Sequence, residues 1–483
     1  MHVIRTAILL SFILITSRQN AIAQPPNRDA VMATMKTAAS YLVDHVASHG
    51  GYVYHYSEDL QQRWGEGVAT VDQAWVQPPG TPTVGMAFLK AYAATGDELY
   101  LSAAQAAAEA LVYGQMKSGG WTNCIDFNPR GDRVAMYRNG QGRGRDTSSL
   151  DDGQTASALK MLILTDKALK FQHAEIHAAA ISGLDALLDA QYPNGAFPQV
   201  WDETPEHVPP NISPKLTAGF PDYDWATEGR IKNYWDMYTL NDNVPGYVTD
   251  TLIAAFETYQ DQKVKDAVLR LGDFLLLAQM PEPQPGWAQQ YGYEMHPIWA
   301  RKFEPPAVSG DETQEVLSTL LIIAEFTDNK KYLAPFPAAL KYLRRSQLAD
   351  GRFARYYELR TNAPLYMERS GDKYVLTHDD SNLPDHYGWK TDSQIDQLTN
   401  AYQSAIGDAA STVKTSEAKR SKQLATNVQQ AISELDNAGR WISVSSGERL
   451  VGQLKLPAGT RYLSSAVFSE RLELLSEYLD SLE

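Results

Sequence analysis

Apolar positions return every three to four residues over 100–113, 155–170, 176–191 and 316–326, with Ala, Leu and Ile forming one stripe and few breakers between them. That period predicts amphipathic helices. Strand-like alternation is scarce. One ending, a helical stretch running into a small polar turn and then an aromatic, recurs six times along the chain. It falls at Tyr52 after YLVDHVASHGG, Trp121 after LVYGQMKSGG, Phe197 after LLDAQYPNGA, Trp287 after LLLAQMPEPQPG, Phe353 after YLRRSQLADGR and Trp441 after AISELDNAGR. The endings lie sixty-six to ninety residues apart, which leaves room for two helices of about 12–18 residues plus loops. A helical hairpin of that size cannot bury its apolar face alone and must stack on its neighbours. The expectation is an all-α fold, an α/α toroid (barrel) of stacked helical hairpins.

Three segments break the helical pattern. Residues 122–149, 201–234 and 356–389 mix Gly, Pro, Asn and charge and read as long irregular loops. Loops of that length inside a globular domain are usually binding loops or disordered spacers. If the turns share one rim, these loops form a cleft there. The chain divides into residues 24–400 as the catalytic toroid and 401–483 as a polar helical C-terminal extension or closing hairpin.

Composition narrows the class. Lys and Arg number 43 against 58 Asp and Glu, a formal charge of −15, which excludes a general nucleic-acid binder because such proteins need excess cation to displace counterions. Any anionic ligand must meet a local basic pocket. One cysteine, Cys124, rules out an internal disulfide and any multi-cysteine metal site. At the N-terminus, Arg5, the apolar run 7–15 and the small residues around Ala21 and Ala23 read as a signal peptide over 1–23. The expected product is secreted or periplasmic, free of the membrane after cleavage, and a monomer.

The chemistry-bearing residues are carboxylates with amides, followed by arginines. No His-Glu-x-x-His or Gly-x-Ser-x-Gly pattern occurs. Asp151 and Asp152 precede a helix in LDDGQT, and Asn241, Asp242 and Asn243 precede another in TLNDN. Each group reads either as helix capping or as a set of hard oxygen ligands for a cation such as calcium. Arg301 sits in the Pro-flanked loop WARKFEPP, and Arg355 and Arg369 flank ELRTNAPLY. Guanidinium forks beside Trp and Tyr faces suit the carboxylates and sugar rings of an acidic polysaccharide. Two rival uses of the same residues are an inverting glycoside hydrolase, with Asp151 or Asp152 opposite Asp242 or Glu304, and a noncatalytic uronate-binding protein.

The strings QYPNGAFPQ (191–199), YTLND (238–242), PGWAQQY (285–291), WARKFEPP (299–306), ARYYELRTNAP (354–364) and HYGWK (386–390) occur in that order. Together they resemble the pectate lyases of polysaccharide lyase family ten, over roughly residues 29–390. The resemblance implies a calcium-dependent pectate lyase that cleaves polygalacturonate by β-elimination with arginine as general base. Matched motif by motif, it implies calcium ligands at Asp151, Asp152, Asn241 and Asp242, and the catalytic base at Arg369. It places substrate contacts at Arg301, Arg355, Trp287, Tyr387 and Lys390. The basic cluster that precedes Gly-Tyr-x-Trp in the family is reduced here to His386 and Lys390.

Overall fold

The computed structural model describes residues 25–202, 213–227, 232–371, 373–407 and 413–482. The signal peptide expected over 1–23 lies outside them. Twelve α-helices run through the described residues: α1 Arg28–Tyr41, α2 Thr81–Thr95, α3 Glu98–Gly114, α4 Gln154–Ala168, α5 Ala174–Asp189, α6 Val244–Tyr259, α7 Gln262–Leu277, α8 Gly310–Thr327, α9 Phe336–Ser346, α10 Ile395–Ile406, α11 Val413–Glu434 and α12 Ser465–Asp480. Among these residues no helix is long and apolar enough to cross a membrane.

The helices form two layers of packing. One row runs α12, α2, α4, α6, α8, α10, each against the next, while α3, α5, α7 and α9 pack on its outer side and α1 and α11 back α12. Sequence pattern explains which helix goes where. α4 buries Ala156, Leu159, Leu162, Ile163 and Thr165 around most of its circumference, as a helix flanked on several sides must. α9 buries Ala339, Leu340 and Leu343 but turns Lys341, Arg344 and Arg345 to solvent. The C-terminal helix α12 packs against α1 and α2, and its preceding strand Arg461–Ser464 pairs with His55–Ser57.

The recurring aromatics have a specific job. The indoles of Trp121, Trp287 and Trp441 each donate, at 2.8 Å, to a carbonyl late in the helix before them: Leu111, Leu275 and Ala431. These carbonyls lie at or near the helix end, where acceptors commonly lack intrahelical donors. The main-chain N–H groups of Tyr52, Trp121 and Trp287 then donate to Thr81, Thr155 and Thr313 at the start of the next inner helix, at 2.9, 2.9 and 3.0 Å. Trp121 and Trp287 make both bonds, each pinning an outer helix end to the next inner helix start.

Strands are commoner than the pattern predicted. The segment 356–389, expected to be irregular, contains a hairpin of Pro364–Ser370 on Lys373–Thr377, in register Arg369 with Tyr374. Tyr356–Glu358 links that hairpin to Ala307–Ser309 in a four-stranded sheet. These strands escape a periodicity reading because Leu365, Tyr366 and Met367 are buried in succession, so inside and outside do not alternate.

Trp287 is a core residue. It is fully buried and offers no ring face to a ligand, which removes it from the expected substrate contacts. Trp287→Ala should therefore cost stability, about 3–5 kcal/mol, with KM unchanged at temperatures where the variant stays folded. Denaturant titration alongside kinetics checks this.

Candidate active site

Two short turns carry the acidic groups. Asp151–Gly153 leads into α4 and Asn241–Asn243 into α6, and the two turns pack against each other. Their middle residues share one conformation, with φ of 47° at Asp152 and 51° at Asp242. The left-handed region costs a non-glycine residue about 1 kcal/mol or more, so both turns hold an aspartate under the same strain.

The carboxylates crowd one another. Asp151 accepts from Gln199 Nε2 at 2.6 Å and Asp152 from Gln77 Nε2 at 2.8 Å, while Asn241 Nδ2 donates to Asp242. Burial, with Asp151 and Glu66 nearby, pushes the Asp152 carboxyl up to about 6 against the pull of Arg301 and Arg355. Burial raises Asp242 well above the usual carboxylate range, and the charges of Asp152 and Asp151 add to it. Asn241 Oδ1 is buried with no hydrogen-bond partner. Among the described residues no three His, Cys, Asp or Glu side chains already surround a single point as a closed metal cage. The donors are nonetheless hard oxygens with an excess of negative charge and one orphaned acceptor. That chemistry fits a calcium ion whose remaining ligands come from substrate and water.

A third acidic entry was missed. The periodic stretch 316–326 is only the end of α8, which begins at Gly310 and carries Asp311, Glu312 and Glu315 in its first turns. Arg355 Nη1 lies 3.3 Å from Asp311, and its Nη2 lies 3.3 Å from Glu312 and 3.9 Å from Asp242. Burial opposes the Arg355 charge, but Glu312, Tyr387, Tyr356 and Asp311 together outweigh it and hold the guanidinium protonated. Burial together with Glu312 and Asp311 pushes Glu315 up to about 9. The Ser309-x-x-Glu312 spacing was the available signal: Ser309 Oγ caps the helix by accepting from the N–H groups of Asp311 and Glu312, and it donates to the Glu312 carboxylate.

Two cavities of about 510 Å³ each meet at Tyr234. One is lined by Glu66, Asn123, Arg145, Asp151, Gln199 and Trp235. The other is lined by Lys232, Arg301, Lys302, Phe303, Arg369 and Tyr374. Asp151 on one side and Arg301 with Arg369 on the other therefore line adjoining cavities. Arg301 is clamped by Glu304 at 2.5 Å and lies over the rings of Phe303 (5.3 Å) and Tyr387 (5.8 Å). Burial disfavours its charge, yet Glu304 prevails, and Asp242 reinforces the cation from further away.

Arg369 stands at the exposed end of its strand, where Nε donates to Gly371 O at 2.9 Å and the guanidinium lies 5.9 Å from the Tyr374 ring. The charges of Arg301 and Arg355 both bear on Asp152. Tyr387 faces inward: its hydroxyl donates to Glu304 at 2.9 Å and its ring underlies Arg355 at 4.8 Å. Lys390 lines neither cavity, since its ammonium is engaged with Asp380 at 2.6 Å. Its expected substrate contact is not what this placement provides.

Residues 115–353 match a family model described as pectic acid lyase. The chain is a polysaccharide lyase, and over residues 115–353 it is similar to the pectic acid lyase family. The matched region includes both acidic turns, Arg301 and the start of α8, and stops short of Arg355, Arg369, Tyr387 and Lys390. Among solved structures, a family 10 polysaccharide lyase from Cellvibrio cellulosa is similar at 20% identity and a TM-score of 0.47, covering 68% of this chain and 98% of its own. A variant of that lyase was solved in complex with trigalacturonic acid, at 20% identity and a TM-score of 0.45 over the same coverage. Cellobiose 2-epimerase from Bacillus thermoamylovorans is similar at 12% identity, covering 92% of this chain and 99% of its own with a TM-score of 0.47. No curated protein sequence matches the chain.

Proposed function

We propose that the adjoining cavities bind polygalacturonate and cleave it by calcium-dependent β-elimination on an α/α toroid that closes from α10 to α12. Residues 24–400 form the catalytic unit, 401–483 complete the ring as its last hairpin, and export directed by residues 1–23 brings the enzyme to its substrate outside the cytoplasm. The observation that carries this reading is that the cavity holding Asp151, one of two anion-rich turns packed on each other, meets at Tyr234 the cavity holding Arg301 and Arg369.

Elimination breaks the C5–H and C4–O bonds of a uronate and forms a C4=C5 double bond conjugated with the carboxylate. The C5 proton goes to a base, and the departing oxygen takes one from water. A carbanion beside a charged carboxylate is poorly stabilised, so that carboxylate must be neutralised. Bound to Asp151, Asp152, Asp242 and the Asn241 amide oxygen, calcium would supply Lewis-acid stabilisation. Arg355, held protonated by Glu312 and Asp311, provides a fixed positive charge next to Asp242.

The resemblance assigned the base to Arg369. We take Arg301 as the acceptor because its charge acts on both Asp152 and Asp242; Glu304 favours its cation, so it must lose a proton before it can abstract one. We assign proton abstraction to Arg301 and the carboxylate of a neighbouring sugar to Arg369. Since a guanidinium normally stays protonated, turnover should rise toward alkaline pH.

Hydrolysis is disfavoured because Glu304, the carboxyl opposite the acidic turns in that reading, is 2% exposed and committed to Arg301. Incubating the enzyme with polygalacturonate, with calcium or with chelator, tests the reading through the ultraviolet absorbance of the unsaturated product. Absorbance that appears only with calcium supports it. Chain shortening without absorbance indicates hydrolysis, and binding without either indicates a noncatalytic protein.

A further inference from the structure

Glu304 has surroundings that simple pairing with Arg301 does not require. Its Oε1 accepts from Arg301 Nη2 at 2.5 Å and from Tyr387 OH at 2.9 Å, and its Oε2 accepts from the Arg301 main-chain N–H at 2.9 Å. Beyond it, the Tyr387 and Tyr356 hydroxyls are 2.7 Å apart, and Tyr356 OH is 2.5 Å from the Gln289 side-chain amide. Tyr356 and Gln289 are buried, and Gln289 is tied through its carbonyl to the N–H groups of Leu240 and Asn241 in the acidic turn.

Proton counting gives this chain a direction. From Glu304 through Tyr387 and Tyr356 to Gln289 there are three short contacts but only two hydroxyl protons. If the Gln289 oxygen faces Tyr356, one contact has no proton and Gln289 Nε2 is buried without a partner. Turning the amide so that its NH2 faces Tyr356 gives all three contacts a proton and Nε2 a partner, and it moves Oε1 to the buried position where none is found. The donors then run Gln289 to Tyr356 to Tyr387 to Glu304, all aimed at one carboxylate.

We propose that Glu304 is the positioning residue of Arg301 and that the Gln289–Tyr356–Tyr387 chain exists to hold Glu304 ionised in its buried position. The inference rests on the reading of Arg301 as the proton acceptor. Burial would by itself raise the Glu304 carboxyl, yet Arg301, with help from Tyr387, keeps it below the ordinary range. Tyr387 acts twice, since its hydroxyl serves Glu304 while its ring supports Arg301 and Arg355. It is thus a brace for two arginines instead of a platform for sugar.

The test is a pair of substitutions with opposite signatures. The groups facing Arg301 are Glu304 and Lys302 on its own turn, Tyr387 and His386, Lys232 and Tyr234, Asp152 and Asp242 from the acidic turns, and Arg369 with Tyr374 from the hairpin. Glu304→Gln removes the nearest negative charge. The kcat should fall about 100-fold or more through lost alignment, KM should change less than about threefold, and the pH–rate profile should move toward neutral by about one unit or more. Tyr387→Phe keeps the ring and the Glu304 charge but strips a donor from the carboxylate, which then grips Arg301 harder. Its profile should move the other way, toward alkaline pH, with kcat down about 5–10-fold.

Circular dichroism and thermal melts establish that each variant is folded; if Glu304→Gln is not, the alkaline shift of Tyr387→Phe decides. Arg301→Lys separates the two levels. If it stays active, the assignment of Arg301 as base fails, whatever Glu304 does. If it is inactive while Glu304→Gln and Tyr387→Phe keep the wild-type profile, or shift in the same direction, the positioning role is overturned and the base assignment stands.

Discussion

Asp242→Asn is expected to abolish turnover and, in metal-free protein at alkaline pH, to make the fold more stable. The two effects share one cause. Asp242 is crowded by Asp151 and Asp152 in a poorly solvated turn, so ionising all three costs energy that only a bound cation offsets. Folding raises the proton affinity of Asp242 and Asp152, so their contribution favours the folded state at low pH and is lost as pH rises. For Asp152 the loss falls between its ordinary value of 3.8 and about 6. Asparagine keeps the shape, tolerates the left-handed φ and removes one charge. Activity should fall about 10³-fold or more, and the metal-free melting temperature at pH 8 should rise by at least about 1 °C. Calcium should raise the melting temperature of the wild type more than that of the variant. A variant that melts below wild type without calcium, or retains a tenth of its activity, would show that crowding at this turn is not the basis of the site.

Replacing Arg301 and Arg369 in turn by lysine should split kcat from KM. Lysine keeps the positive charge but loses the planar fork and has a different proton affinity. At Arg301 the change should lower kcat by about 10³–10⁴-fold with KM moving less than about threefold, because the group acts on the proton in flight. At Arg369 it should raise KM about tenfold and spare kcat, because a bidentate grip on an adjacent carboxylate contributes to ground state and transition state alike. Steady-state kinetics on polygalacturonate distinguishes them. The reverse pattern would return the base to Arg369, the position motif matching selected, and leave Arg301 as a binding group.

These experiments bear on residues that differ in how visible they were. The acidic turns were legible because Asp151-Asp152 and Asn241-Asp242 stand just before apolar-periodic helices, where a cluster of short oxygen side chains is conspicuous. The α8 entry was not, since Gly310, Thr313 and Gln314 interrupt the apolar stripe and hide the first two turns of the helix. Arg355 was found, but its partners Asp311 and Glu312 lie more than forty residues earlier and come to it only through the pairing of Ala307–Ser309 with Tyr356–Glu358. Trp287 and Lys390 went wrong for one reason: an aromatic or a cation in a matched motif looks the same in sequence whether it faces a groove, the core or an aspartate.

By itself the chain determined its helices, its repeating aromatic turns and the residue types able to bind a cation and a uronate. Those follow from local periodicity and from the chemistry of each side chain, which neighbours in sequence are enough to specify. Which arginine stands beside the acidic turns, and that Glu304 and Tyr387 point inward to brace it, depended on contacts between residues far apart in sequence. Only the tertiary structure decides such matters, because the strength of a charge and the direction of a hydrogen bond are set by what is buried beside them.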